Sequence, residues 1–171
     1  MANNGDEYIN DLDFTILAHL QEDGRKPFAR IAKELGVSVG TVRNRVLKML
    51  EDNTLSIIAR VNPQRIGFDA YTTILVSIEP EFLGESSKEI SLFPEVSYLS
   101  IITGEYDVMV DVMCRDTQHL KDFLINRLAK VKGIKEFKTM LILNVYKIAQ
   151  PDLRLAKRLA PHKGFEPTPI R

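Results

Sequence analysis

Two short helical runs separated only by Gly36-Val37 constrain this chain more than any other feature. Residues 27–35 (PFARIAKEL) and 38–53 both place apolar residues at helical spacing. Pro27 suits the first turn of the former and Gly36 the C′ position after it. Ser38 is a suitable N-cap for the latter. So short a joint leaves room only for a tight corner. An earlier run, residues 11–22, puts Leu12, Ile16, Leu17 and Leu20 on one face, with Asn10 or Asp11 as its cap and Gly24 as its stop. Three helices with a tight corner between the last two form the helix-turn-helix pattern, which assigns residues 1–54 to a helix-turn-helix domain.

The period then changes. Leu55–Val61 is β-prone, and Asn62-Pro63 stops it. Residues 62–69 are rich in turn formers, so 55–69 is predicted as a β-linker and the domain boundary. Beyond it come a strand over 70–79, a weak helix over 83–93, strands over 96–103 and 106–114, a helix over 116–131 and a strand over 135–148. Gly104-Glu105 suits a two-residue type II′ hairpin turn between the middle strands. The order β-α-β-β-α-β predicts a ferredoxin-like domain over 70–149 and an α+β chain overall. Its helices cover one sheet face. Tyr71, Leu75, Val108, Val110, Leu141 and Leu143 are expected on the other, which calls for a partner subunit. Residues 150–171 hold four prolines and five bases against two acids, and read as a basic C-terminal tail in which 152–159 can make a short helix.

Charge is segregated. The chain has 171 residues with 23 bases and 23 acids, so a uniformly basic nucleic-acid coat is excluded. Residues 1–24 nevertheless hold six acids and no Lys or Arg, whereas residues 25–50 hold seven bases and only Glu34 as an acid, a net of +6. Phosphate attraction depends on local field, so overall neutrality is no objection to binding duplex DNA. In the third helix, Val39, Val42, Val46, Met49 and Leu50 form the expected buried stripe. Gly40, Thr41, Asn44 and Lys48 point away from it, flanked by Arg43 and Arg45. Small, amide and cationic residues suit a major groove: Asn pairs with adenine, Arg with guanine, and Gly and Thr allow close approach. The bland alternative is a solvated face with Arg45 in a salt bridge inside the domain. Ser38, Gly40, Thr41, Arg43, Asn44, Arg45 and Lys48 are the candidate DNA-binding residues.

Ile31-Ala32-Lys33-Glu34-Leu35-Gly36-Val37-Ser38 and Thr41-Val42-Arg43-Asn44-Arg45-Val46 resemble the helix-turn-helix of the Lrp/AsnC (feast/famine) transcription regulators. Val61-Asn62-Pro63-Gln64-Arg65-Ile66-Gly67 is similar to that family's linker. Thr103-Gly104-Glu105-Tyr106-Asp107 resembles its Thr-Gly-x-x-Asp signature, and Val131-Lys132-Gly133-Ile134 its turn before the last strand. The resemblance covers residues 10–149. It implies a ferredoxin-like amino-acid-sensing domain, a homodimer built on linker and sheets, and assembly of dimers into octamers. It also implies an effector, usually an amino acid, held near Thr103, Gly104, Tyr106 and Asp107. Loop N–H groups can take a carboxylate and an Asp an ammonium, although Asp107 can equally be a loop residue satisfied by nearby backbone. Where the family usually has Gly near the end of the recognition helix, this chain has Asn53, which tolerates the left-handed conformation.

Other function classes fit less well. The single cysteine, Cys114, excludes an intrachain disulfide and suits a reducing cytoplasm. No apolar run is long enough for a membrane span. His19, His119 and His162 are scattered, with no metal-ligand spacing, and His19 and His119 are expected on helix surfaces. No phosphate loop or nucleophile motif occurs, so no cofactor, metal or catalytic residue is expected. Sirohaem decarboxylases share the two-domain look but use a histidine in the sheet, and the predicted strands here have none. A nucleoid-compacting protein of low sequence preference is the other alternative.

Overall fold

The computed structural model describes residues 9–153. The chain forms two compact units, one up to Ala59 together with the chain from Ile148 onward, the other Arg60–Lys147.

The first unit is built on α1 (Asp11–Glu22), α2 (Phe28–Leu35) and α3 (Val39–Glu51). Asn10 caps α1 in a capping box, its side chain accepting from the Asp13 N–H while Asp13 accepts from the Asn10 N–H. The helix ends at Asp23 in extended geometry rather than on Gly24. Gly36 closes α2 at φ +67°, and the Val37 N–H reaches back 3.0 Å to the Ala32 carbonyl. Ser38 then caps α3 through the Thr41 N–H. Asn53 takes φ +60° just past α3, as its side chain allows. Ile16, Leu17, Leu20, Ile31, Ala32, Val42, Val46 and Met49 form the core. The α3 stripe is narrower than expected: Val39 and Leu50 remain 48% and 36% exposed, at its edges.

The second unit contains β1 (Ala70–Ile78), α4 (Leu83–Ser91), β2 (Val96–Ile101), β3 (Val108–Cys114), α5 (Thr117–Asn126) and β4 (Ile134–Leu141). The strands form one antiparallel sheet in the order β2-β3-β1-β4, the ferredoxin-like arrangement. Ala70, Ile74, Val76, Ile78, Val108, Val110, Val112 and Cys114 pack under the helices with Ile90, Leu120, Phe123, Leu128 and Val131.

Several expectations are corrected. Val108 and Val110 are fully buried on the helix side, and Leu141 shares that side through its pairing with Thr72. Pairing and alternation give the open face Tyr71, Thr73 and Leu75 from β1 and Met109, Asp111 and Met113 from β3. Residues 55–61 form no strand, since nothing among the described residues pairs with them, and Ile57, Ile58 and Val61 are left exposed. β4 stops at Leu141, where its ladder with β1 ends at Thr72, and only the Ile142 N–H bond to the Tyr71 carbonyl continues beyond it. The helix predicted to reach Val131 ends at Asn126; Arg127 leaves helical geometry and a 3₁₀ turn follows. Of the helix foreseen over 152–159, residues 154–159 lie outside the described residues.

Candidate functional site

The candidate DNA-reading surface is α3. Gly40, Arg43, Asn44 and Lys48 are exposed, and Thr41 is half-buried. Ser38 is spent on the cap, its Oγ 3.0 Å from the Thr41 N and 2.8 Å from the Thr41 Oγ1. The seven bases of this region divide. Lys26 and Arg30 both pair with Glu34, at 2.6 and 3.0 Å. Their hydrogen bonds, Lys26 first, hold the Glu34 carboxyl below the usual carboxylate range. Arg45 donates to both oxygens of Asp13, at 2.9 and 3.0 Å. Its guanidinium is therefore tied to α1, the salt bridge inside the domain that the sequence left open beside base reading. Arg25, Lys33, Arg43 and Lys48 have no carboxylate partner among the described residues. The cationic surface is narrower than the sequence count suggests, and Asn44 stands between Arg43 and Lys48 on it.

The second candidate lies between β2 and β3. The expected two-residue hairpin is instead a four-residue loop, Thr103–Tyr106, closed by the Ile102 N–H to the Asp107 carbonyl at 2.9 Å. Gly104 sits at φ +132°, which side-chain-bearing residues rarely adopt. Thr103, Gly104 and Glu105 are exposed and Tyr106 is half-buried. The amides of residues 103–106 make no backbone hydrogen bond among the described residues. The Tyr106 phenol is raised above its ordinary pKa by burial, then by the charges of Glu105 and Glu136. Asp107 faces inward. Its Oδ2 accepts from the Ile78 N–H at 2.8 Å, at the irregularity in the β1–β4 ladder, and from Ser77 Oγ at 3.4 Å. The Asp107 N–H donates to Val76. Its carboxylate is thus engaged by backbone, the plainer of the two readings open from sequence.

Sequence reasoning missed three polar clusters. Glu95, buried at 7% exposure, binds His119 Nε2 at 3.0 Å and Arg127 at 2.8 Å. His119 Nδ1 accepts the Arg115 N–H, so His119 is a half-buried strut rather than a surface residue. His19 is likewise half-buried, 2.9 Å from Lys26 Nζ. On the open sheet face, Asp111 accepts from Thr73 Oγ1 at 2.6 Å and from the Tyr71 phenol at 3.3 Å. The pairings of Glu95 with His119 and Arg127, and of Asp111 with Thr73 and Tyr71, span 24 to 40 residues of chain and leave no local signal. No described strand contains histidine, no group of three or more His, Cys, Asp or Glu is placed to hold a metal among the described residues, and no described helix is long and apolar enough to cross a membrane.

A sequence model of the AsnC-type helix-turn-helix domain matches residues 9–50, and one of the Lrp/AsnC ligand binding domain matches residues 72–152. An uncharacterised HTH-type transcriptional regulator of Pyrococcus furiosus is 36% identical over 140 residues, covering 81% of this chain and 95% of the relative. Among solved structures, AsnC of E. coli superposes with a TM-score of 0.77 at 27% identity, covering 84% of this chain and 97% of that one. A transcriptional regulator of Neisseria meningitidis, solved as a complex with L-methionine, has the same fold, with a TM-score of 0.71 at 21% identity over 82% of this chain and 93% of its own. With its helix-turn-helix and its ferredoxin-like sheet in the family's order, this chain belongs to the Lrp/AsnC family of transcriptional regulators.

Proposed function

We propose that the protein regulates transcription by reading a specific duplex sequence with α3, under the control of a small effector. The observation that carries this is the exposed α3 face: Gly40, Thr41 and Asn44 beside Arg43 and Lys48, with neither cation committed to a carboxylate among the described residues. Thr41 and Asn44 read bases. Arg43 and Lys48 hold phosphate, and Ser38 and Arg45 position the helix through its cap and through Asp13. Removing one base-reading contact costs about 1–3 kcal/mol at its own position, whereas removing a phosphate contact weakens all sequences alike. The test is to select an operator from random duplexes, then measure Asn44→Ala and Lys48→Ala on it and on a scrambled duplex. Asn44→Ala should lose affinity chiefly for the operator, and Lys48→Ala for both. Equal losses on both duplexes for every variant would leave a low-specificity, compacting DNA binder instead.

The effector reading rests on the loop Thr103–Tyr106. Its amides make no backbone hydrogen bond among the described residues and suit a carboxylate, and the loop also carries the half-buried Tyr106. A neighbour of the same fold is described with L-methionine bound, which makes a small amino acid the first class to try. Asp107 keeps the loop in place through Ile78 rather than holding the ligand itself. A homodimer, assembling further to an octamer, covers the open sheet face and the exposed Ile57, Ile58 and Val61. The protein works in the cytoplasm and is not an enzyme on this reading.

A further inference from the structure

The open face of the sheet mixes apolar side chains with few charges. Residues paired across an antiparallel ladder share a face. The ladders set Tyr98 of β2 beside Asp111 of β3, and Glu136, Lys138 and Met140 of β4 beside Ser77, Leu75 and Thr73 of β1. Asp111, Glu136 and Lys138 are therefore the charges that the four strands present on this face. Glu136 stands at the end of its ladder, next to the irregularity at Ser77 and Ile78. Asp111 and Lys138 stand further in, each with a methionine two residues along its strand on the same side.

Neither of these two inner charges is neutralised within the chain. Asp111 accepts from Thr73 and Tyr71 but has no cation within ion-pair distance among the described residues, and Lys138 has no carboxylate within it. Burial first, then Asp111, hold the Tyr71 phenol above its ordinary pKa, with Arg60 opposing, so the phenol stays a donor to Asp111. Asp111 and Lys138 lie two strands and two residues apart, about 12 Å between backbones. They are too far apart to meet each other, yet a second copy brings them together. In a two-fold pair, whatever Asp111 meets, its copy meets in return. An axis running between the two positions sets Asp111 against Lys138 of the partner subunit, and Lys138 against the partner's Asp111. Thr73 and Leu75, which stand between the two charges on β1, then lie near the axis.

We propose that Asp111 and Lys138 form two reciprocal ion pairs across the facing sheets, and that these select a second copy of this chain as the occupant of the face and fix its register. The proposal rests on the reading that the open sheet face is the homodimer surface. The apolar side chains drive association, and the charges supply the choice of partner. A chain of the same fold with an acid in place of Lys138 is rejected by like charge. One with a neutral residue there leaves Asp111 covered without its counter-charge.

Sedimentation of the full chain and its charge variants tests this. Lys138→Glu and Asp111→Lys each set two like-charge contacts across the interface, so each alone should raise the dimer dissociation constant about a hundredfold or more. Mixed in equal amounts, the two variants should form a heterodimer of near-native affinity, because both contacts are then opposite in charge. The double variant should dimerise with itself for the same reason. Asp111→Lys also takes the acceptor from Thr73 and Tyr71. Asp111→Asn keeps an oxygen there, and adding it to Lys138→Glu should recover about tenfold of the lost affinity. A Lys138→Glu chain that dimerises like the native one, while Leu75→Asp is monomeric, overturns the ion pairs and leaves the sheet-face dimer standing. Recovery of Lys138→Glu by Glu136→Lys, and not by a change at Asp111, also overturns them, since Lys138 then meets the other acid. A native chain that sediments as a monomer at micromolar concentration overturns both the ion pairs and the dimer.

Discussion

Arg45 and Asn44 are adjacent on α3 yet belong to different problems. Arg45 is held by both oxygens of Asp13, which is only 9% exposed, so removing the cation takes the counter-charge from a buried carboxylate. Arg45→Met should lower unfolding stability by about 1–3 kcal/mol. The ratio of operator to scrambled-duplex affinity, measured well below the melting temperature, should not change. A collapsed ratio at unchanged stability would return Arg45 to the base-reading set. Cys114 makes a second prediction at this scale. Its thiol is fully buried beneath the helices, and burial first, then the charges of Glu95 and Asp116, push it up to about 11. The unfolded chain releases this proton near the ordinary thiol pKa and the folded chain does not, so between those values the unfolded state binds fewer protons. The contribution is complete below the unfolded value and is lost as pH rises toward 11. Alkaline denaturation curves should be flatter for Cys114→Ala than for the native chain between about pH 9 and 11. Equal slopes would show that the thiol is not the group responsible.

At the scale of elements, Gly36 is the joint on which the α2–α3 corner turns. At φ +67° with open space around its Cβ direction, alanine there meets no clash but pays left-handed strain. Gly36→Ala should destabilise the protein by about 1–2 kcal/mol in denaturant titrations, with an unchanged m-value if the corner is kept. The corner was legible because Gly36 and Ser38 each act within a few residues. So were the Asn10 cap, Asn53 and the order of the sheet elements. The open sheet face was not. In β1 and β3 both alternating sets contain large apolar residues, Leu75 and Met109 as well as Val76 and Val108, so composition cannot say which set meets the helices. The loop after β2 was misjudged because Ile102 and Asp107 close it together, leaving Gly104 and Glu105 inside a four-residue turn. At the candidate sites the residue types were legible. The commitments of Arg45 to Asp13 and of Asp107 to Ile78 were not, since each partner lies about thirty residues away in the chain.

At the scale of the whole molecule, the exposed apolar residues of the linker and of the open sheet face call for a second copy. Asp111 at the centre of that face, already held by Thr73 and Tyr71, tolerates burial because its oxygens are satisfied. Leu75→Asp, which sets a second acid near Asp111, should shift light scattering toward monomer; an unchanged dimer would move the interface off the sheet. On the proposed function, such assembly would let an effector act at a distance. An amino acid that weakens DNA binding must itself bind the DNA-bound form less tightly by the same factor. Titrating effector with and without operator should therefore give two dissociation constants whose ratio equals the change in DNA affinity. The loop supplies the variants. Asp107→Ala removes the acceptor for the Ile78 N–H and releases the loop, while Asp107→Asn keeps an oxygen there without the charge. On the positioning reading, Asp107→Ala should weaken the effector about tenfold or more, and Asp107→Asn much less, with effector-free DNA affinity kept in both. Equal losses in the two variants would mean that the carboxylate charge itself holds the ligand's ammonium. If calorimetry finds no heat with any of the twenty amino acids and Asp107→Ala leaves regulation unchanged, Thr103–Asp107 is a structural turn and the regulator answers to something other than an amino acid.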